Sequence, residues 1–279
     1  MTKIYIINSQ GEKEVFSPAK IYRSARKVGA SRKLAKQIVF EISNEVYPGI
    51  KTSEIFKKVR VRLFRNFPQA SLRFSLKQAM TRLGPTGFPF EKFMAEVFRS
   101  KGFEVRLNQF IPGQCGFYEI DFTAKKGNRL YIGECKYSHL PGVRVHLNEA
   151  LMNYARFLDI RHKRLDHRVQ MKSLLATNTK FSQDALRYSR CVGVEMLGWR
   201  YPSDNGLEKM IEQDKLYPIT ILPGLRKDVA QAFVSRGIML VRDLLKLDLV
   251  GFSRANRLPL PLLERLVNQA RVLLGPNFI

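Results

Sequence analysis

The sequence predicts a multidomain α/β protein. It divides into a small helical module headed by an N-terminal hairpin (residues 1–88), a central mixed sheet flanked by helices (89–220), and a C-terminal helical hairpin bundle (221–279). Three observations predict this. Stretches with apolar residues three and four apart give way to stretches of period two, as helices and strands do. Glycine and proline fall at the joints between them. A length of 279 residues suits two or three small domains, and 45% apolar residues are enough to build their cores.

The elements follow in order. Lys3 to Asn8 is a strand, Ser9-Gln10-Gly11 a turn, and Lys13 to Phe16 the return strand. Ser17-Pro18 opens a helix, with serine at the N-cap and proline at the first helical position. Helices are expected over 18–29, 31–46 and 52–65. Phe90 to Arg99 carries apolar residues at 90, 93, 94, 97 and 98, the stripe of a one-faced helix that Gly102 ends. Phe103 to Leu107 then starts a strand. Phe117 to Ala124 alternates, Lys125-Lys126-Gly127-Asn128 supplies turn residues, and Leu130 to Gly133 runs into Glu134-Cys135-Lys136. Lys172 to Asn178 reads as a strand, Ser182 to Cys191 as a helix capped by Ser182, and Val192 to Leu197 as the next strand. In the tail, Leu222-Pro223-Gly224-Leu225 precedes a helix. Arg236-Gly237-Ile238 separates it from a second with Val241, Leu244 and Leu245. Leu258-Pro259-Leu260-Pro261 introduces a last helix with Leu262, Leu263, Leu266 and Leu273 as core.

The chemistry concentrates in Gly116 to Tyr137. Side chains two apart on a strand share a face, so Glu119 points with Asp121, and Glu134 with Lys136. If the two strands pair, three carboxylates and one ammonium converge at one end of a small sheet. Oxygen ligands crowded together suit a hard cation such as Mg²⁺. Mg²⁺ polarises a phosphoryl oxygen and lowers the pKa of an attacking water, and a lysine beside it orients that water or offsets phosphate charge. The competing reading is an ordinary exposed hairpin with a surface ion pair. Cys135 should face the core. Cys115, Cys135 and Cys191 lack metal-ligand spacing, as do His139, His146, His162 and His167. His139 and His146 lie nearest the site, within reach of phosphate.

Asp121, a gap of twelve residues, and Glu134-Cys135-Lys136 resemble the PD-(D/E)xK nuclease superfamily. With the flanking order of helix, strand, acidic strand, E-x-K strand, helix, strand, helix, strand, the stretch resembles the Mrr-like restriction endonucleases. The resemblance implies a restriction-endonuclease-like fold and Mg²⁺ (or Mn²⁺) ligated by Asp121 and Glu134. It gives Lys136 a catalytic role, and adds Glu91 and Glu119 to the metal site. Glu91 matches a glutamate that opens the first helix in that family; alone it would be a solvated residue in a favourable first turn. The family carries a glutamine and a tyrosine four apart on the helix after E-x-K. Tyr154 matches the tyrosine, whereas Ala150 stands where the glutamine would be.

The front of the chain resembles the ATP-cone, the nucleotide-binding module of ribonucleotide reductases. Gly11, Glu14, the Phe-Ser-x-x-Lys-Ile run ending at Lys20-Ile21, and Lys51-Thr52-Ser53-Glu54-Ile55 carry the likeness. It implies ATP or dATP as an effector, with Glu14, Lys20 and Thr52 as nucleotide contacts. Asn8-Ser9-Gln10 replaces the family's basic pair. Lys57, Lys58, Arg60, Arg62 and Arg65 read either as a solvated face or as a phosphate track. The tail resembles helix-hairpin-helix domains, which implies that Gly224 and Gly237 offer backbone N–H groups to DNA phosphate; a bundle that binds protein or caps the sheet is the alternative.

Charge supports a polyanionic partner. The net charge is +24, from 48 Lys/Arg against 24 Asp/Glu. Residues 1–88 carry 18 basic against 5 acidic residues, 89–220 carry 21 against 15, and 221–279 carry 9 against 4. Every part is basic, which favours nucleic acid. No apolar run reaches membrane-spanning length and the start lacks a signal-peptide core, so a cytoplasmic or nucleoid-associated protein with no membrane partner is expected. No G-x-x-x-x-G-K-[ST] motif is present. The expectation is a Mg²⁺-dependent DNA endonuclease modulated by adenine nucleotide, with a homodimer as one arrangement. The alternatives are a non-cleaving, nucleotide-sensing DNA-binding regulator that keeps the nuclease fold as scaffold, and a structural protein whose tail recruits a partner.

Overall fold

The computed structural model describes residues 3–84, 86–140, 142–163 and 168–275, without the side chains of Pro68 and Gln69; His167 lies outside the described residues. The chain forms two compact units. The first comprises Met1–Ala79, Ile221–Leu225 and Leu244–Ile279, the second Met80–Thr220 and Arg226–Asp243. Residues 221–279, expected as one module, are thus divided between them.

The first unit opens with an antiparallel hairpin, β1 (Tyr5–Ile7) and β2 (Lys13–Val15). The Asn8 carboxamide oxygen accepts the N–H groups of Gln10 and Glu12, and Gly11 takes φ 84° to close the turn. Helices α1 (Pro18–Lys27), α2 (Arg32–Ser43), α3 (Thr52–Asn66), α4 (Pro68–Phe74) and the short α5 (Leu76–Met80) follow. Pro18 does open α1, but the Ser17 side chain makes no capping bond. Ile21 and Ala25, Ile38 and Ile42, and Ile55, Val59 and Leu63 recur every four residues, so α1, α2 and α3 bury one stripe each in a common core.

The second unit is built on a five-stranded sheet. Helix α6 (Phe88–Ser100) leads into β3 (Glu104–Pro112), β4 (Phe117–Lys126) and β5 (Arg129–Lys136). After a two-residue strand, β6 (Arg144–Val145), helix α7 (Leu147–Lys163) crosses over to β7 (Gln170–Thr177). Then come β8 (Lys180–Phe181), α8 (Gln183–Val192), β9 (Glu195–Leu197) and α9 (Leu207–Gln213). The sheet order is β3-β4-β5-β7-β9; the first three strands are antiparallel, and β5, β7 and β9 are parallel. The mixed sheet flanked by helices is therefore the one expected. Phe98 of α6 packs on Phe122 and Tyr131 from one face. Phe157 and Ile160 of α7 pack on Ile132 from the other.

Several boundaries move for identifiable reasons. Lys125 and Lys126 pair with Leu130 and Arg129, leaving Gly127-Asn128 as a two-residue turn whose first residue takes φ 58°. Gly193, at φ 78°, caps α8 in the left-handed region, so β9 begins at Glu195 and Val192 belongs to the helix. Ser182 caps α8 as expected, its hydroxyl accepting the Ala185 N–H at 3.2 Å. Ser182→Ala is expected to lower stability by about 1 kcal/mol, read as a fall in melting midpoint; an unchanged midpoint would show the bond to be idle.

In the tail, α10 (Lys227–Ser235) is followed by a 3-10 turn at Val241–Lys246 where an α-helix was expected, then by α11 (Leu249–Asn256) and α12 (Leu260–Leu274). Asp243 accepts the Leu240 N–H at the start of that turn. Leu263, Leu266 and Leu273 are buried, while Leu262 is half-buried. Helix α12, with α11, belongs to the first unit.

Candidate active site

The site forms where β4 and β5 part. Their ladder ends at Phe122↔Gly133. Beyond it the Asp121 carboxylate accepts the Cys135 N–H at 2.6 Å, replacing a lost backbone bond and holding the carboxylate against β5. Gly133 makes the crossing possible, because a Cβ there would lie 2.4 Å from the Phe122 ring. On the other side β5 stays paired with β7 through Lys136↔Thr177. Thr177 donates its hydroxyl to the Lys136 carbonyl at 2.5 Å, and Asn178 accepts the Ser138 N–H at 3.0 Å and donates to its carbonyl at 2.8 Å. The end of β5 that carries Glu134 and Lys136 is therefore fixed from both sides.

Glu134 is the most enclosed carboxylate here, with a side chain 8% exposed. Lys136 Nζ lies 2.6 Å from Oε1, and Arg156 Nη1 of α7 lies 3.3 Å from Oε2. Burial raises the Asp121 carboxyl to about 6, with Glu134 adding to the effect against the Cys135 hydrogen bond and Lys136. Burial likewise raises Glu91 to about 7, reinforced by Asp121, Glu134 and Glu119. Gly87 leaves room for this side chain, since a Cβ on it would stand 3.3 Å from Glu91 Oε1. Cys135 is buried, as expected, and burial followed by the charges of Asp121, Glu91 and Glu134 pushes its thiol well above the ordinary range.

Glu91, Glu119, Asp121, Glu134 and Lys136 thus come from α6, β4 and β5 into one field. Four carboxylates gather in a chain of net charge +24. The donors are all oxygen, the atom type a hard cation takes, and burial together with neighbouring carboxylates raises two of them, Asp121 and Glu91. Among the described residues no three His, Cys, Asp or Glu side chains stand placed to enclose a metal ion, and Glu134 is turned to its two cations.

Holding Glu91 ionised in this field costs stability. Its folded pKa of about 7 exceeds the ordinary 4.5, so the folded state binds the proton more tightly. The group's contribution to stability is lost as pH rises through that window. Glu91→Gln is expected to raise the melting midpoint, more at about pH 8 than at about pH 5, in metal-free buffer. A gain over the parent that is the same at both pH values would show that neither burial nor the neighbouring carboxylates perturb Glu91.

Arg156 was not foreseen. It stands on α7 between the buried residues Asn153 and Phe157, at the rim of the packed face, and that position was its one sequence signal. Tyr154 instead packs against Phe157 and Tyr188, and Ala150 is fully buried. His139 and His146 are exposed.

Among the nucleotide candidates, Lys20 Nζ meets Glu14 Oε2 at 3.0 Å, and Thr52 opens α3. The basic run on α3 is only partly a free surface. Arg62 is held by Glu41 at 2.7 Å and by Glu45, and Lys58 by Glu45 at 2.7 Å. Lys57 and Arg65 are exposed and Arg60 half-buried. Gly224 and Gly237 take φ 71° and 78°. The Gly237 N–H donates to the Val234 carbonyl at 3.0 Å, so it is spent inside its own turn.

A family profile described as "AF1548-like, C-terminal" matches residues 217–274. A protein of Archaeoglobus fulgidus described as uncharacterized is 38% identical over 165 residues, covering 57% of this chain and 91% of its own length. A crystal structure of AF1548, described as a protein of unknown function, is 33% identical with a TM-score of 0.58. It is covered entirely and matches 68% of this chain. The chain belongs to the family of these AF1548-like proteins. Among the described residues no helix is long and apolar enough to cross a membrane.

Proposed function

We propose that the chain is a metal-dependent DNA endonuclease whose active site is the fork between β4 and β5. The observation that carries this reading is the convergence of Asp121, Glu134 and Lys136 there, with the carboxyls of Asp121 and of nearby Glu91 raised by burial and by neighbouring carboxylates. Strongly shifted carboxyls around one lysine are what a site for charge-stabilising chemistry needs. Asp121 and Glu134 would hold Mg²⁺ or Mn²⁺, with Glu91 and Glu119 completing its surroundings. When bound, the cation lowers the pKa of water and polarises a phosphoryl oxygen. Lys136 keeps its ammonium beside Glu134, where it can orient water or offset charge on the phosphate. Asp121 is kept in place by the Cys135 N–H, which holds one of its oxygens against β5.

The basic surface supplies substrate affinity without base readout. Lys57, Arg65 and the turn at Gly224 remain the exposed contacts that fit a phosphate backbone in the first unit. Glu14, Lys20 and Thr52 are the contacts for an adenine nucleotide effector. Incubating the purified chain with supercoiled plasmid, with and without Mg²⁺ and with and without ATP, tests both statements. Mg²⁺-dependent nicking or linearisation is expected. Intact plasmid bound by the protein would favour the non-cleaving regulator, and equal cutting with and without ATP would remove the effector.

A further inference from the structure

We propose that Lys136 and Arg156 form an anion site for a backbone phosphate of the substrate, in which the Glu134 carboxylate sits while no substrate is bound. The inference rests on the nuclease reading and adds a residue to it. Each oxygen of Glu134 is held by a different cation from a different element: Lys136 of β5 on Oε1 at 2.6 Å, and Arg156 of α7 on Oε2 at 3.3 Å. A carboxylate so gripped has the charge and the paired oxygens of a phosphodiester's non-bridging face. The carboxylate is 8% exposed, whereas the Lys136 and Arg156 side chains are 41% and 32% exposed. An incoming anion therefore meets the cations from the solvent side. Arg156 uses one nitrogen on Glu134 at 3.3 Å and carries five N–H donors in all, so donors remain for a second oxygen.

Glu134 cannot neutralise two side-chain cations and ligate a divalent cation at full strength. A divalent cation on Glu134 repels both Lys136 and Arg156 and leaves them short of negative charge, which a phosphate restores. Divalent cation and nucleic acid then tighten one another's binding, and the coupling is reciprocal. Arg156 acts in this scheme by touching substrate.

The test uses the full chain, Ca²⁺ as the oxygen-seeking probe cation, and a short fluorescein-labelled DNA duplex whose integrity is checked on a gel. Arg156→Ala is expected to weaken duplex binding in Ca²⁺ about tenfold. It should lower the slope of log affinity against log salt by about 0.9, the loss of one phosphate contact, with Arg156→Lys restoring the slope. Calorimetric titration of Ca²⁺ without DNA should give an affinity for Arg156→Ala equal to or tighter than the parent's, because a like charge has left. Parent-like duplex affinity and slope in Arg156→Ala would overturn the proposal. So would weaker Ca²⁺ binding, which would make Arg156 a support for Glu134. Arg156→Gln replaces Arg156→Ala if circular dichroism shows the latter misfolded. A parent that binds duplex more tightly in Ca²⁺ yet leaves plasmid uncut with Mg²⁺ overturns the nuclease reading alone. A parent indifferent to Ca²⁺ overturns the anion site.

Discussion

Glu134→Gln, Asp121→Asn and Lys136→Ala are each expected to slow plasmid cleavage about a thousandfold or more, a loss of ~4 kcal/mol of transition-state stabilisation. Glutamine keeps the shape of Glu134 and an acceptor for Lys136, but removes the negative charge that a divalent cation needs. Asparagine keeps an oxygen that can accept the Cys135 N–H, so the fork stays closed while a carboxylate is lost. Alanine at 136 removes the ammonium while Thr177 still holds that residue's carbonyl. The three therefore separate chemistry from folding. The melting midpoint should not fall for Asp121→Asn, which relieves part of the repulsion that raises Glu91, whereas Glu134→Gln also takes from Lys136 and Arg156 the carboxylate they share and should lower it. Duplex binding without divalent cation, spread over many basic residues, should stay largely intact in the two carboxylate variants and weaken in Lys136→Ala by the loss of one phosphate contact. Supercoiled plasmid, Mg²⁺ and a time course on agarose give the rates. Variants that cut as fast as the parent would place the activity elsewhere, or in a contaminant.

What the sequence made legible was local. The alternation of Phe117 to Ala124, the break at Gly127-Asn128 and the run into Glu134 define a hairpin whose ladder the structure reproduces. The four-residue spacing at Ile38 and Ile42 or Val59 and Leu63 likewise marks helices by their own side chains. The site was legible as far as its residues lie on neighbouring strands, because register alone brings Asp121 towards Glu134. Four features needed tertiary information. Arg156 reaches Glu134 across a helix–sheet contact, 22 residues along the chain, and no spacing rule encodes that approach. The parting of β4 and β5 on the Asp121 side of Phe122 depends on a side chain, that of Asp121, taking over a backbone bond. On α3 the periodicity shows five cations, but the pairing of Lys58 and Arg62 with Glu41 and Glu45 depends on where α2 packs. The division of the tail between two units was equally invisible, because α10 and α12 carry similar apolar stripes and nothing in a stripe says which core it joins.

The fork itself makes the second large prediction. Gly133 lies between the apolar part of β5 and Glu134, in a strand where its φ is ordinary and an alanine would otherwise be tolerated. The obstacle is Phe122. A Cβ on residue 133 would meet three atoms of that ring at 2.4, 2.5 and 2.7 Å, closer than carbon atoms can approach. The ring has little room to yield: Phe122 is fully buried, and Phe98 stands against it with ring centroids 5.3 Å apart. Gly133→Ala is therefore expected to cost about 1–3 kcal/mol through overpacking, a fall in melting midpoint on the order of 5 °C. It should also slow cleavage, because Phe122 follows Asp121 directly and Gly133 precedes Glu134, so any backbone shift that relieves the clash moves both carboxylates. Phe122→Leu in the same chain shrinks the offending group. The double variant should regain part of the stability that Gly133→Ala loses, a coupling that independent sites would not show. Additive losses in the double variant, or a Gly133→Ala chain that melts with the parent, would mean that β4 and β5 have slack at the fork and that its geometry does not depend on this glycine.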